Sequence, residues 1–158
     1  MTYTINREYF PTVWPEIEPL ARRHYAEMQA RFEKEGLAPL GAFNPRLDLY
    51  FQAAEGGYLH CFVVRCDGAV VGHCTVYEQN SMHSNDRFGR EDTIFIAPEH
   101  RNGIGMKLSR EVIRFLGERG CKHMIIDAST DPRAIKLWQR LGFRPVSQLM
   151  SIELPVSG

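Results

Sequence analysis

Long apolar runs are missing from this chain of 158 residues. None approaches the roughly 18 residues of a membrane span, and the opening Met1-Thr-Tyr-Thr-Ile-Asn-Arg7 lacks the apolar stretch of a secretory signal. Charge of one sign is missing as well. Lysine plus arginine and aspartate plus glutamate each number 19, so the formal net charge is zero. No basic field draws in nucleic acid or a membrane surface, although a local patch stays open. Cys61, Cys66, Cys74 and Cys121 form no CxxC pair, and the six histidines show neither HxH nor HExxH. Spacing therefore supports neither a disulfide framework nor a metal site, and the cysteines read as small buried hydrophobes. There is no low-complexity tract, repeat or linker. These absences leave one soluble domain over residues 1–158, expected in the cytoplasm, with no membrane partner and no general nucleic-acid binding.

What is there alternates in period. A short strand is expected at Tyr3 to Ile5. The prolines at 11, 15 and 19 break the following segment, so a helix is predicted to begin only at Pro19, with the stripe Leu20/Ala21, Tyr25, Met28 and Phe32 ending at Gly36. A second helix is predicted from Asn44-Pro45 to Gly56-Gly57. Tyr58 to Cys66, the turn Asp67-Gly68 and Ala69 to Tyr77 read as a hairpin. A polar loop, Glu78 to Asp86, leads to a strand at Phe88 to Ile96.

The densest signal follows. Thr93 to Ile96 is β-branched and aromatic, and a turn with Gly103 and Gly105 comes next. Ile104, Leu108, Val112 and Phe115/Leu116 then recur at helical spacing as far as Arg119, with Gly120 as the stop. A glycine turn at a helix start bares backbone N–H groups at the positive end of the helix dipole, a preformed site for phosphate. It lacks the Gly-Lys-Ser/Thr ending of a P-loop and the third glycine of a dinucleotide fold. A strand at His123 to Asp127, a helix capped by Ser129-Thr130-Asp131-Pro132 with the face Ala134, Leu137, Trp138 and Leu141, and a terminal strand at Pro145 to Leu154 complete the chain. The order is β-α-α-β-β-β-α-β-α-β, an α/β arrangement on a mixed sheet.

Phe88 to Phe143 resembles the acetyl-CoA core of the GCN5-related N-acetyltransferase (GNAT) superfamily. The resemblance is carried by the strand ending Ile94-Phe95-Ile96-Ala97-Pro98-Glu99, the Arg–Gly turn, and the helix Ala134 to Leu141 closed by Gly142-Phe143. The preceding helices and hairpin fit the family's N-terminal half. The paired helices and the loop Ser81-Met82-His83-Ser84 are also similar to small acetyltransferases encoded in phage genomes. The resemblance implies a mostly antiparallel central sheet flanked by helices. It also implies acetyl-CoA as co-substrate and an amine acceptor, on a small molecule or a protein. Ile94, Phe95 and Ile96 would pair with the cofactor's pantetheine arm. Arg101, Asn102, Gly103, Ile104, Gly105 and Met106 would hold its pyrophosphate, Asp131 would lie near the pantetheine, and Trp138 would line the thiol end. A homodimer is in keeping with such domains.

The resemblance has three departures. The family turn places a basic residue where this chain has His100, with Arg101 one position later; Arg101 keeps the register of Pro-Glu-x-Arg. Trp138 stands where the family often has a tyrosine acid, and an indole N–H donates a hydrogen bond without being a useful acid. One strand, rather than a hairpin, follows Gly142-Phe143, so part of the substrate wall is expected from another subunit.

Three residues are candidates for catalysis. Asp92 is the first choice for a base, placed by strand alternation on the face of Ile94 and Ile96, against the bland reading of a solvated strand-end carboxylate. Glu78 and His83 follow, and Glu91 is expected on the opposite face, in solvent. His73 reads as a satisfied strand histidine, and His24 and His60 as structural. Trp14, Tyr25 and Tyr50 are candidate acceptor contacts or core, while Lys107 and Arg110 either meet phosphates or are solvated. The enzymatic reading is acetyl transfer to a primary amine; its rival is a degenerate module that binds an acyl-CoA or a protein without turnover.

Overall fold

A computed structural model describes residues 1–128 and 131–156. Five strands, β1 (Tyr3–Glu8), β2 (Leu59–Cys66), β3 (Ala69–Asn80), β4 (Arg87–Ile96) and β5 (His123–Ile125), lie side by side in chain order. β1 to β4 pair antiparallel, and β5 joins β4 in parallel. The β2–β3 turn is the predicted one. Asp67 at φ 49 and Gly68 at φ 89 supply the two left-handed residues that match the twist of a two-residue hairpin.

Strand alternation divides the core. Helices α1 (Phe10–Lys34) and α2 (Leu47–Glu55) cover one face, packing Val13, Ile17 and Ala53 on Leu59, Cys61 and Val63. Helix α3 (Ile104–Glu118) covers the other, seating Leu108, Val112 and Leu116 against Phe62, Val64, Val76 and Ile96. Gly89 marks how closely α3 approaches, since a Cβ there would stand 2.4 Å from Leu116 Cδ1. The last helix, α4 (Pro132–Arg140), follows β5.

Three expectations are corrected. First, α1 does not wait for Pro19; it starts at Phe10 and runs through Pro15 and Pro19. The prolines recur every fourth residue on the outward face, Pro15 and Pro19 exposed, while Phe10, Val13, Ile17 and Leu20 are buried inward. Water can satisfy the carbonyls that lose a partner, and burial of the inner stripe outweighs the lost bonds. Pro19→Ala restores a donor to the carbonyl of Pro15. It is expected to raise stability by about 2 kcal/mol, the interior-proline penalty less its entropic benefit in the unfolded chain, as read by denaturant unfolding. Second, α2 begins at Leu47, not at Asn44-Pro45.

Third, the predicted strand over Pro145 to Leu154 does not form. Residues 144–156 have no regular structure, and Ile152 is 82% exposed and Leu154 71%. The alternation Met150, Ile152, Leu154 suits a strand, but a strand needs an edge to pair with. β5 is three residues long and offers almost none. Ser129 and Thr130, predicted to help cap α4, lie outside the described residues; Asp131 is the cap, accepting from the Arg133 N–H at 3.0 Å.

Candidate active site

The site is built from one irregularity in β4. Thr93 pairs with Thr75 and Glu91 pairs with Val76, which leaves Asp92 as the extra residue of a β-bulge. The bulge breaks the period-2 rule. Asp92 does not share the face of Ile94 and Ile96, which pack toward α3; it turns with Thr93 and Phe95 toward α1 and α2. There Asp92 Oδ2 accepts from the Tyr50 hydroxyl at 2.8 Å and the Thr75 hydroxyl at 2.9 Å. Burial raises the Asp92 pKa above its ordinary value, and these two bonds oppose the rise.

The bulge also marks where two strands part. β5 pairs with β4 only at Phe88, Gly89 and Arg90. Beyond Arg90 the two diverge, so the edge of β4 from Glu91 to Ile96 faces a cleft of about 600 Å³. Ile94, Phe95 and Ile96 line one wall, and Asp131, Ala134, Leu137 and Trp138 the other. Gly103, Gly105 and Met106 close one end. Gly103 is the N-cap of α3 at φ 94 with no side-chain cap, so the first amides of the helix are left for an external acceptor. A Cβ at Gly103 would meet nothing within 4 Å, and one at Gly105 only Ile96 Cγ1 at 4.0 Å. Gly103→Ala is expected to cost about 1–2 kcal/mol, because the position needs a left-handed backbone, and thermal unfolding will show it.

Five cations line the cleft: Arg31, Arg101, Arg133, Lys136 and Arg140. Arg101 is fixed by its Nε bond to the Ile96 carbonyl at 2.8 Å and lies over the Phe95 ring. His100 turns away, its Nδ1 2.9 Å from the Tyr3 hydroxyl, so of the two rivals for the basic position Arg101 faces the cleft. Asp131 is held by Arg31 and Arg133, each at 3.2 Å. Trp138 is buried and packs edge-on against Phe143. Two of the predicted binding residues sit differently. Asn102 reaches the Tyr3 hydroxyl at 3.3 Å, and the Ile104 side chain is in the core, which leaves both only their backbone to offer. Lys107 and Arg110 are exposed and line neither cavity.

A second cavity, of about 460 Å³, opens between α1, α2 and the sheet, and shares His24, Met28 and Asp92 with the cleft. Trp14, Tyr25 and Tyr50 all line it. Of the three catalytic candidates, only Asp92 stands where the two spaces meet. Glu78 lines neither; burial raises its pKa, but Arg119 and His60 draw it below its ordinary value. His83 is exposed in the loop after β3 and lines neither.

Sequence reasoning missed three residues. Glu91 is not solvated: it lines the cleft half-buried, and burial beside Asp92 and Asp127 pushes its pKa up to about 8. His24 lines both spaces, stacked on Phe95 at 5.0 Å and shifted toward the neutral form by burial. His73 is not satisfied: its Nδ1 is buried with no hydrogen-bond partner, and burial lowers its pKa to about 3. No signal in the sequence marks the bulge. The adjacent pair Glu91-Asp92 just before the apolar run was the one available hint. No group of residues that could hold a metal occurs among those described, and no helix among them is long and apolar enough to cross a membrane.

A mixed sheet split beside a bulge, with an uncapped glycine turn at the cleft's end, can hold an extended ligand along a free strand edge with its phosphates at a helix N-terminus. Residues 1–143 match the acetyltransferase (GNAT) family, and the chain belongs to it. No curated protein matches the sequence. Among solved structures, an aminoglycoside acetyltransferase from an uncultured soil metagenomic sample is similar at 20% identity. It aligns over 99% of this chain and 100% of that one, with a TM-score of 0.72. A ribosomal-protein-alanine N-acetyltransferase from Brucella melitensis is 18% identical, over 98% and 100%, with a TM-score of 0.71. A predicted acetyltransferase with acetyl-CoA from Clostridium acetobutylicum is 13% identical, over 96% of each chain, with a TM-score of 0.72. At these identities the likeness is one of fold.

Proposed function

We propose that the protein transfers the acetyl group of acetyl-CoA to a primary amine by direct attack, with the acceptor in the smaller cavity and the cofactor in the cleft. The observation that carries this is Asp92, a half-buried carboxylate with a raised pKa at the junction of the two spaces. The cleft fits the cofactor. An unpaired strand edge can take the amides of a pantetheine arm, uncapped helix amides can take a pyrophosphate, and Lys136 and Arg140 add positive charge beside the three arginines that already pair with Asp131 and Glu27.

When bound, acetyl-CoA supplies an electrophilic thioester carbonyl and a sulfur leaving group. The protein's residues supply the rest. An ammonium has no lone pair, so the amine must be neutral when it attacks, and Asp92 takes the proton it gives up on Oδ1, since Oδ2 already accepts from Tyr50 and Thr75. Tyr50 and Thr75 hold that carboxylate toward the junction. Trp138 walls the thiol end but is no acid. Glu91, still largely protonated at neutral pH, donates the proton that the departing sulfur takes. Asp92 then holds one proton more and Glu91 one fewer, and exchange with solvent restores both.

Thiol release from acetyl-CoA on addition of an amine tests the reading; calorimetric binding of CoA without thiol release from any amine would favour a binding module instead. Gly105→Ala separates cofactor from scaffold. It is expected to leave stability unchanged or raise it by up to about 1 kcal/mol, since the position is helical. The added methyl enters the cleft, so CoA affinity should fall.

A further inference from the structure

The smaller cavity describes its occupant. We infer that the acceptor is a monoamine carried on an apolar, aromatic body, seated between α1, α2 and the sheet with its nitrogen at Asp92. This rests on the acetyl-transfer reading above. The walls are rings: Phe10, Trp14, Tyr25, Phe43 and Tyr50. Phe10 stacks on Tyr50 at 5.2 Å and tilts against Trp14 at 5.5 Å. The polar tips of the tyrosines are already engaged, Tyr25 donating to the Gly41 carbonyl at 2.8 Å and Tyr50 to Asp92. What these side chains present to the space is largely ring surface.

Charge points the same way. Asp92 is the one acidic residue of the lining, and Arg46, clamped to Asp48 at 2.9 and 2.7 Å, is its one permanent cation. His24 and His73, the other titratable nitrogens there, are shifted toward the neutral form by burial. One carboxylate matches one amine. A polyamine or an aminoglycoside would bring further ammonium groups into an apolar space, where no second carboxylate replaces their water. About 460 Å³ has room for a bicyclic body with a short amine arm.

The test uses the full chain, with thiol release measured for tryptamine, 2-phenylethylamine, spermidine and kanamycin, and calorimetry of tryptamine on protein preloaded with CoA. The expected result is a kcat/KM for tryptamine at least about 100-fold above those for spermidine and kanamycin, with measurable tryptamine binding. Ala21→Phe, which fills the smaller cavity without lining the cleft, should raise the tryptamine KM by about 10-fold or more while CoA still binds. A preference for spermidine or kanamycin, or an unchanged tryptamine KM in Ala21→Phe, overturns the acceptor class and leaves acetyl transfer standing. Bound CoA with no thiol released by any amine overturns both.

Discussion

Asp92→Asn lowers kcat/KM for amine acetylation by about 10²- to 10⁴-fold, the range that a positioned general base contributes. The substitution keeps the shape of the side chain and an oxygen for the Tyr50 and Thr75 hydroxyls, which donate to Oδ2 at 2.8 and 2.9 Å. It removes only the ability to take a proton. Stability and CoA binding should therefore change little, and a loss confined to turnover distinguishes a base from a structural anchor. The pH profile gives a second reading. Burial holds the Asp92 pKa above its ordinary value, so activity of the parent protein rises with pH as this group loses its proton. That limb is absent in the asparagine variant. An Asp92→Asn protein with parental kcat/KM would remove Asp92 from the chemistry.

Glu91→Gln should do two opposite things. Its carboxyl is pushed from 4.5 up to about 8 by burial, with Asp92 and Asp127 adding to the shift. Below about pH 4.5 the folded and unfolded chains are both protonated here, and the group's contribution to stability is intact. Between 4.5 and 8 the unfolded chain gives up the proton while the folded one keeps it, so stability falls with rising pH, by at most about 1.4 kcal/mol per pH unit. Above 8 the loss is complete. Glutamine does not titrate and removes this slope, so the variant should gain on the parent in thermal unfolding at pH 8 and not at pH 4. It should also lower kcat by about 10²-fold, since an amide cannot protonate the departing sulfur. A variant with lower stability at pH 8 would show that Glu91 is paired rather than stranded, and an unchanged kcat would deny it the acid role.

The legible parts of this molecule are those where local chemistry decides. Asp67-Gly68 announces its turn because two left-handed residues are needed there, and α3 announces itself through a long amphipathic stripe beginning at a glycine. The cleft beside β4 is legible for the same reason, as a strand, a glycine turn and a helix in succession. The face that Asp92 takes is not. A single extra residue in β4 reverses the parity of everything before it, and its presence depends on the pairing of β4 with β3, which no pattern within β4 encodes. Period 2 therefore puts Asp92 on the face of Ile94 and Ile96 and Glu91 in solvent, and the bulge reverses both.

Tertiary context overrode local preference in α1 and at the C-terminus as well, in opposite directions. The prolines at 15 and 19 are tolerated because they point outward from a helix whose inner stripe is buried. Residues 145–154 carry a strand pattern with no long edge to receive it. Tyr25 and Tyr50, which helical spacing marks as core, line the aromatic cavity, and Tyr50 packs on the core as well.

The claim on which the rest depends is that the cleft between β4 and β5 holds coenzyme A. Isothermal titration of the protein with CoA, with ATP as the comparison, tests it most directly. The expected result is saturable 1:1 binding of CoA in the micromolar range, about −8 kcal/mol. It should weaken in Gly105→Ala, and ATP should bind far less tightly for want of a pantetheine arm to pair with Glu91 to Ile96. Equal affinity for both nucleotides, or no heat with CoA, would contradict the account.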